Sequence, residues 1–230
     1  MTPSEIAAAV RNVKPRFLEG LAPAEVKAVL AAAKQRRYLA NSVVTNHGHP
    51  ADHLFLLLNG RARYFFVTPD GQKTLMFWLP PGEIFGGAAI VPKPIAYLTS
   101  TETVENSYVL VWDRITIREL AARHPRLLEN TLLIAFDYMV GYRALHVALT
   151  CHTARQRLAH VLVNLASGMG HEVPGGIELD IKNEELANEA NVTLFTASRL
   201  LSEWQRNGMV VKNRGKVLLR SPELLLSQGV

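Results

Sequence analysis

One stretch constrains this chain more than any other: residues 181–219, IKNEELANEANVTLFTASRLLSEWQRNGMVVKNRGKVLL. It predicts a first helix from about Asn183 to Ala190, with Asn183 as N-cap and Glu184 and Glu185 in the first turn. Asn191-Val192-Thr193 interrupts it, and Thr193 is placed to cap a second helix from Leu194 to about Asn207, with Gly208 as the C-terminal stop. Val210-Val211 and Val217-Leu218-Leu219 then flank Lys212-Asn213-Arg214-Gly215-Lys216, a hairpin with a basic tip. Leu186, Leu200, Leu201 and Trp204 supply the apolar positions that such a unit buries. The pattern is that of a winged helix-turn-helix.

Charge gives this pattern a direction. From 172 to 189 six acids (Glu172, Glu178, Asp180, Glu184, Glu185 and Glu189) stand against Lys182 alone. From 190 to 220 six bases (Arg199, Arg206, Lys212, Arg214, Lys216 and Arg220) stand against Glu203 alone. Packing needs no such separation of sign. A helix and wing facing phosphates do need it, because neutralised phosphates supply most sequence-independent affinity. The residues expected at a DNA duplex are Thr193, Leu194, Phe195, Thr196, Ser198 and Arg199 on the second helix, with Lys212, Arg214 and Lys216 on the wing. Arg199 is the base reader among them, since bidentate arginine on guanine is the commonest specific contact.

Upstream the signal changes twice. Residues 1–35 read as helices, with Glu25–Lys34 opened by Pro23. From Arg37 to about Val111 short strands are expected, among them Leu54–Leu58, Arg61–Val67, Lys73–Leu79 and Tyr108–Trp112. Asn59-Gly60, Pro69-Asp70-Gly71 and Pro80-Pro81-Gly82 supply the turns between them. Many short strands with regular breaks imply an antiparallel barrel or jelly roll. After Ile115 the pattern is helical again, and 126–149 is too long for an ordinary surface helix. Leu128, Leu132, Ala135, Met139, Tyr142, His146 and Leu149 form a stripe at steps of three or four, which suits a symmetric pairing of two copies. The expected organisation is α+β: a sensor barrel with N-terminal helices over 1–125, a dimerisation helix over 126–150 and a DNA-binding domain over 151–230.

Composition adds limits. The net charge of +5 is compatible with nucleic acid, and the single cysteine, Cys151, excludes internal disulfides and an all-cysteine iron–sulfur cluster. The N-terminal residues lack a signal peptide's apolar core, and no apolar run reaches membrane-spanning length, so a cytoplasmic protein without a membrane partner is expected.

Barrel, long helix and winged module, in that order, resemble the Crp/Fnr family of bacterial transcription regulators. Gly48–Arg61 (GHPADHLFLLLNGR) resembles the family's first barrel signature, and Asp70-Gly71 with Leu79–Gly86 (LPPGEIFG) its second. Ala154–Ala166 (ARQRLAHVLVNLA) resembles the first helix of its DNA-binding domain, and Thr196–Leu201 (TASRLL) its recognition helix. The resemblance implies a homodimer on a palindromic operator, with RNA polymerase as a further partner. It also implies a signal bound in the barrel near the long helices. The positions it marks as effector-facing are Gly86, Gly87, Ala88, Tyr97, Thr99, Tyr142 and Arg143.

The sequence also departs from the family. Cyclic-nucleotide-binding members carry a glutamate for the ribose hydroxyls and an arginine for the cyclic phosphate, where this chain has Gly87 and Tyr97. Losing a charge-assisted phosphate partner removes about 1.5–3 kcal/mol per bond, so tight cyclic AMP binding is not expected. Where members often place arginine or glutamate on the reading helix, this chain has Leu194 and Phe195, either of which suits a thymine methyl. No cofactor is expected. His47, His49, His53, His124 and His146 make haem conceivable, but histidines are more often packing or surface residues.

Two rivals stand beside this reading. His47-x-His49 followed by His53 and Gly60 resembles the first metal motif of the cupins, but Pro80-Pro81-Gly82 is not followed by the histidine their second motif requires. The other rival is a regulator that binds DNA without any effector. No residue is assigned a catalytic role.

Overall fold

A computed structural model describes residues 2–68, 71, 73–93 and 95–227. Pro69 and Asp70 of the expected turn lie outside the described residues. The chain divides into two compact units, Met1–Met139 and Val140–Val230.

The first unit opens with α1 (Pro3–Val13) and α2 (Pro23–Ala31). Eight strands follow: β1 (Lys34–Tyr38), β2 (Val43–Thr45), β3 (His53–Asn59), β4 (Ala62–Val67), β5 (Lys73–Leu79), β6 (Ile84–Phe85), β7 (Ser100–Thr103) and β8 (Ser107–Asp113). After them come α3 (Arg114–Arg123) and the long α4 (Arg126–Cys151). The strands make two four-stranded sheets, ordered β1-β8-β3-β6 and β2-β7-β4-β5. The result is a jelly roll of two sheets rather than a closed barrel.

The period of two along β3 and β8 explains the layering. Phe55, Leu57, Val109 and Val111 point into a core shared with Ala62 and Leu79 of the other sheet. Leu54, Leu56, Leu58, Leu110 and Trp112 point the other way, into a core shared with the helices through Phe17, Val29, Ile117 and Leu127. The central strands are buried on both faces, hence their unbroken apolar runs. Each large side chain fully buried there contributes about 1.5–3 kcal/mol. Trp112 satisfies its indole N–H on the Val29 carbonyl at 2.8 Å.

Helix α4 is fixed to this unit by its first turns. Buried Asn130 donates to the carbonyls of Phe17 (3.0 Å) and Glu19 (2.9 Å), and Thr131 to Leu127 (2.8 Å). Leu127, Ile134 and Tyr138 pack inward on the same side. Leu128, expected in the dimer stripe, is half-buried against this core as well.

The helix expected over Glu25–Lys34 ends at Ala31, and Lys34 already belongs to β1. Main-chain pairing of Lys34–Tyr38 with Val111–Ser107 outweighs the helical preference of the alanines before it.

The second unit holds α5 (Ala154–Met169), β9 (His171–Val173), β10 (Gly176–Asp180), α6 (Asn183–Glu189), α7 (Leu194–Arg206), β11 (Val210–Asn213), β12 (Lys216–Leu219) and α8 (Pro222–Ser227). Its sheet runs β11-β12-β10-β9, so the expected hairpin is half of a four-stranded sheet. Leu158, Leu162, Leu179, Leu186, Leu200, Leu201, Trp204 and Val217 fill its core.

Candidate functional site

The second unit builds a helix-turn-helix from α6 and α7. Asn183 is the first helical residue rather than the cap; Lys182 occupies the cap position, and its backbone N–H donates to Glu185 Oε2 at 3.0 Å. A carboxylate reaching back one turn does what the expected Asn183 side chain was to do. The break falls at Asn191, whose φ of 48° is left-handed. Thr193 caps α7 as expected, its hydroxyl accepting from the Thr196 N–H at 3.1 Å. Gly208 turns the chain after α7 with φ 74°, a conformation that favours glycine.

Amphipathic packing decides which face of α7 is free. Ala197, Leu200, Leu201 and Trp204 are buried, so Leu194, Phe195, Arg199 and Arg206 remain exposed. The wing is tied to this helix: Lys212 Nζ donates to Ser202 Oγ at 3.1 Å, and Ser202 donates to the Ser198 carbonyl at 2.8 Å. Arg214 is exposed at the hairpin tip. Lys216 behaves differently, pairing with Glu178 at 2.6 Å and Asp180 at 3.2 Å. Those two carboxylates hold its ammonium above its ordinary pKa, so its charge is largely compensated within the sheet.

Arg157 sets the turn and escaped the sequence reading. Its guanidinium donates to the carbonyls of Ala190 (2.9 Å), Asn191 (3.0 Å) and His152 (2.9 Å). It satisfies carbonyls at the end of α6 and holds residue 152, just before α5, to the same point. Spacing gives no sign of such long-range bonds.

In the first unit Gly86, Gly87 and Ala88 form the turn after β6, and Tyr97 packs against it. Gly86 has φ 72°, and a Cβ there would stand 2.6 Å from the His53 carbonyl oxygen, so glycine is required. Gly87 is flanked by Thr131 Cγ2 of α4, at 3.4 Å from where its Cβ would be. Ala88 is half-buried against the core between the sheets. Thr99 is half-buried, and its carbonyl accepts from Thr45 Oγ1 at 3.5 Å. Tyr97 is buried, and its hydroxyl accepts from His53 N (3.0 Å) and donates to His53 O (3.1 Å). With donor and acceptor engaged on one backbone residue, Tyr97 braces the fold rather than presenting a free hydroxyl to a ligand. Tyr142 and Arg143 fall in the second unit, both exposed.

Tyr138 is the residue here that sequence missed. It packs against both cores, edge-on to Tyr64 (5.6 Å) and Phe77 (5.2 Å), and its hydroxyl donates to Glu83 Oε2 at 3.3 Å. Burial raises both groups, pushing the phenol far up and the Glu83 carboxyl above its usual range. Glu102, by contrast, is buried but held low: hydrogen bonds from Lys73 (2.6 Å) and Arg63 (2.8 Å) outweigh the burial that would raise it.

Gly87 offers no side chain for a ribose, and Tyr97 is uncharged with its hydroxyl taken. The cupin alternative needs three side chains converging on one metal ion. Among the described residues no three His, Cys, Asp or Glu side chains are placed to share a metal ion. His47 packs on Phe66 and His53 on Phe55.

Comparison with known proteins matches this arrangement. A Crp-like helix-turn-helix domain model covers residues 156–227, and a cyclic nucleotide-binding domain model covers 35–124. The chain belongs to the Crp/Fnr family. It is a DNA-binding transcription regulator, and its named relatives are regulators rather than enzymes. It is 29% identical to the cyclic AMP receptor protein of Thermus thermophilus, over 91% of this chain and 94% of the relative. Identity is 22% to a CRP-like cAMP-activated global transcriptional regulator of Mycobacterium tuberculosis, over the same shares. The c-di-GMP responsive global regulator CLP of Xanthomonas campestris shares the fold, with a TM-score of 0.75 at 18% identity, covering 86% of this chain and 99% of that one. Among the described residues of the regulator no helix is long and apolar enough to cross a membrane.

The exposed face of α4 differs in part from the expected stripe. Leu132, Ala135, Met139, Tyr142 and His146 are exposed as that stripe requires, and Leu133, Phe136, Val140 and Val147 join them. The side chain of Leu149 lies outside the described residues.

Proposed function

We propose that this regulator acts in the cytoplasm as a homodimer on a palindromic operator, with one α7 helix of each copy in successive major grooves. The exposed face of α7 carries the reading: Phe195, Arg199 and Arg206 stand clear of the core, beside Lys212 and Arg214 of the wing. Arg199 reads guanine, Thr193, Thr196 and Ser198 contact phosphate or base edges, and Lys212 and Arg214 contact phosphates. Lys216 has a lesser share, because Glu178 and Asp180 already hold it.

Exposed apolar residues on α4 support pairing of two copies. Leu132, Phe136, Met139 and Val140 are each more than half exposed, a pattern that water disfavours and a helix partner removes. RNA polymerase is the further partner in this reading.

Tight binding of cyclic AMP is not expected, because neither Gly87 nor Tyr97 supplies a charged partner for it. An effector of other chemistry at the turn around Gly86, Gly87, Ala88 and Thr99 acts only through its differential affinity for two arrangements of the protein. A second reading, operator binding with no effector, is favoured by the engaged hydroxyl of Tyr97. Fluorescence anisotropy of the purified chain with a duplex selected from a random library tests these points together. Saturable binding that cyclic AMP leaves unchanged is expected; an increase in affinity with micromolar cyclic AMP would contradict the sensor assignment.

A further inference from the structure

The first turn of α7 is unusual for a surface that meets a polyanion, because its two most exposed side chains are apolar. Phe195 is 78% exposed and Leu194 52%, directly after the Thr193 cap. The neighbouring hydroxyls are turned on one another, Thr193 Oγ1 and Thr196 Oγ1 lying 2.9 Å apart, with Thr193 also capping the Thr196 N–H. These two hydroxyls pair within the turn, whereas the phenyl and isobutyl groups are exposed with no partner of that kind. The surrounding field is cationic, from Arg199, Arg206, Lys212 and Arg214. That field disfavours a basic or neutral protein partner and favours a nucleic acid.

We infer that Phe195 and Leu194 determine operator specificity by packing against the C5-methyl group of thymine in the major groove. Thymine alone among the bases of unmodified DNA presents a methyl group there. This inference rests on the operator-binding reading above and adds the base that the apolar pair selects. Helical spacing fixes where that base lies. Phe195 and Arg199 are four residues apart, on one face, and separated by about 6 Å along the helix axis. With base pairs stacked about 3.4 Å apart, the thymine falls within roughly two base pairs of the guanine that Arg199 reads.

The test uses the full chain and the best duplex selected from a random library. Each thymine is replaced in turn by deoxyuridine, which keeps every hydrogen-bonding group and removes only the methyl. One position per half-site, within two base pairs of the Arg199-dependent guanine, is expected to lose about fourfold in affinity, the worth of one buried methyl group. Phe195→Ala, or Phe195→Ala with Leu194→Ala, binds the thymine duplex more weakly and no longer distinguishes it from the uracil duplex. Both side chains are exposed, so the variants keep the native Tm. Selective binding with no uracil-sensitive position overturns this inference and leaves the regulator reading standing. The same holds if uracil sensitivity survives in Phe195→Ala. Absence of any sequence preference in the unaltered protein overturns both.

Discussion

Lys216 Nζ lies 2.6 Å from Glu178 Oε1, across the register that pairs β12 with β10. The relationship divides the bases of the wing into two kinds. Arg214 carries charge toward solvent, whereas Lys216 cancels carboxylates of its own sheet. Arg214→Ala should therefore reduce the slope of log affinity against log salt by about one phosphate's worth. Lys216→Ala should change that slope less while still weakening all sequences alike, since it leaves Glu178 and Asp180 uncovered near the duplex. Titrations across a range of salt concentrations compare the two.

Glu83 and Glu102 give the first unit opposite responses to acid. Burial raises Glu83 above its unfolded value, so its contribution is fully present below that value and is lost as pH rises through the folded pKa. Glu102 is lowered by Lys73 and Arg63, so its contribution is present above the unfolded pKa and lost as pH falls through the folded one. Glu83→Gln should raise the Tm by a few degrees at neutral pH, with the gain shrinking as the solution is acidified below the ordinary glutamate pKa. Glu102→Gln should lower the Tm at neutral pH and matter little in acid. Calorimetry over pH checks both signs.

Arg157→Ala should cost the DNA-binding unit about 1.5–3 kcal/mol, because it removes charged donors from the carbonyls at residues 152, 190 and 191. Denaturant unfolding followed at Trp204 measures it. Arg157→Lys should recover only part, since one ammonium does not span three carbonyls in the fork geometry of a guanidinium.

Charge on the free face of α4 should separate the copies. Phe136→Glu with Met139→Glu alters residues 56% and 58% exposed, so folding of each chain should survive. Sedimentation should then give a monomer, and affinity for a palindrome should fall by about a hundredfold or more as the second half-site ceases to be held at high effective concentration.

Much of this architecture is legible in the sequence where burial leaves a period. β3, β5 and β8 announce themselves through apolar runs, and α7 through Thr193, its apolar spacing and Gly208. β1 does not, because KQRRY is an exposed strand whose pairing with β8 is made by the main chain. β9 and β10 are short and carry the acids Glu172, Glu178 and Asp180, so the wing reads as a hairpin instead of a four-stranded sheet. On α4 two apolar stripes interleave, and only packing shows that Leu127, Ile134 and Tyr138 face the unit's own core while Phe136 and Val140 do not. Tyr138, Arg157 and the Lys216 pairs depend on partners far away in sequence, which local pattern does not reveal.

The central claim is that the free face of α7 reads bases, and Arg199 tests it most directly. Affinity for the selected operator, measured by anisotropy against every single-base variant, should fall by about 1–3 kcal/mol in Arg199→Ala, with preference relaxed at one position of each half-site. Unaltered affinity and unaltered preference in that variant would contradict the account.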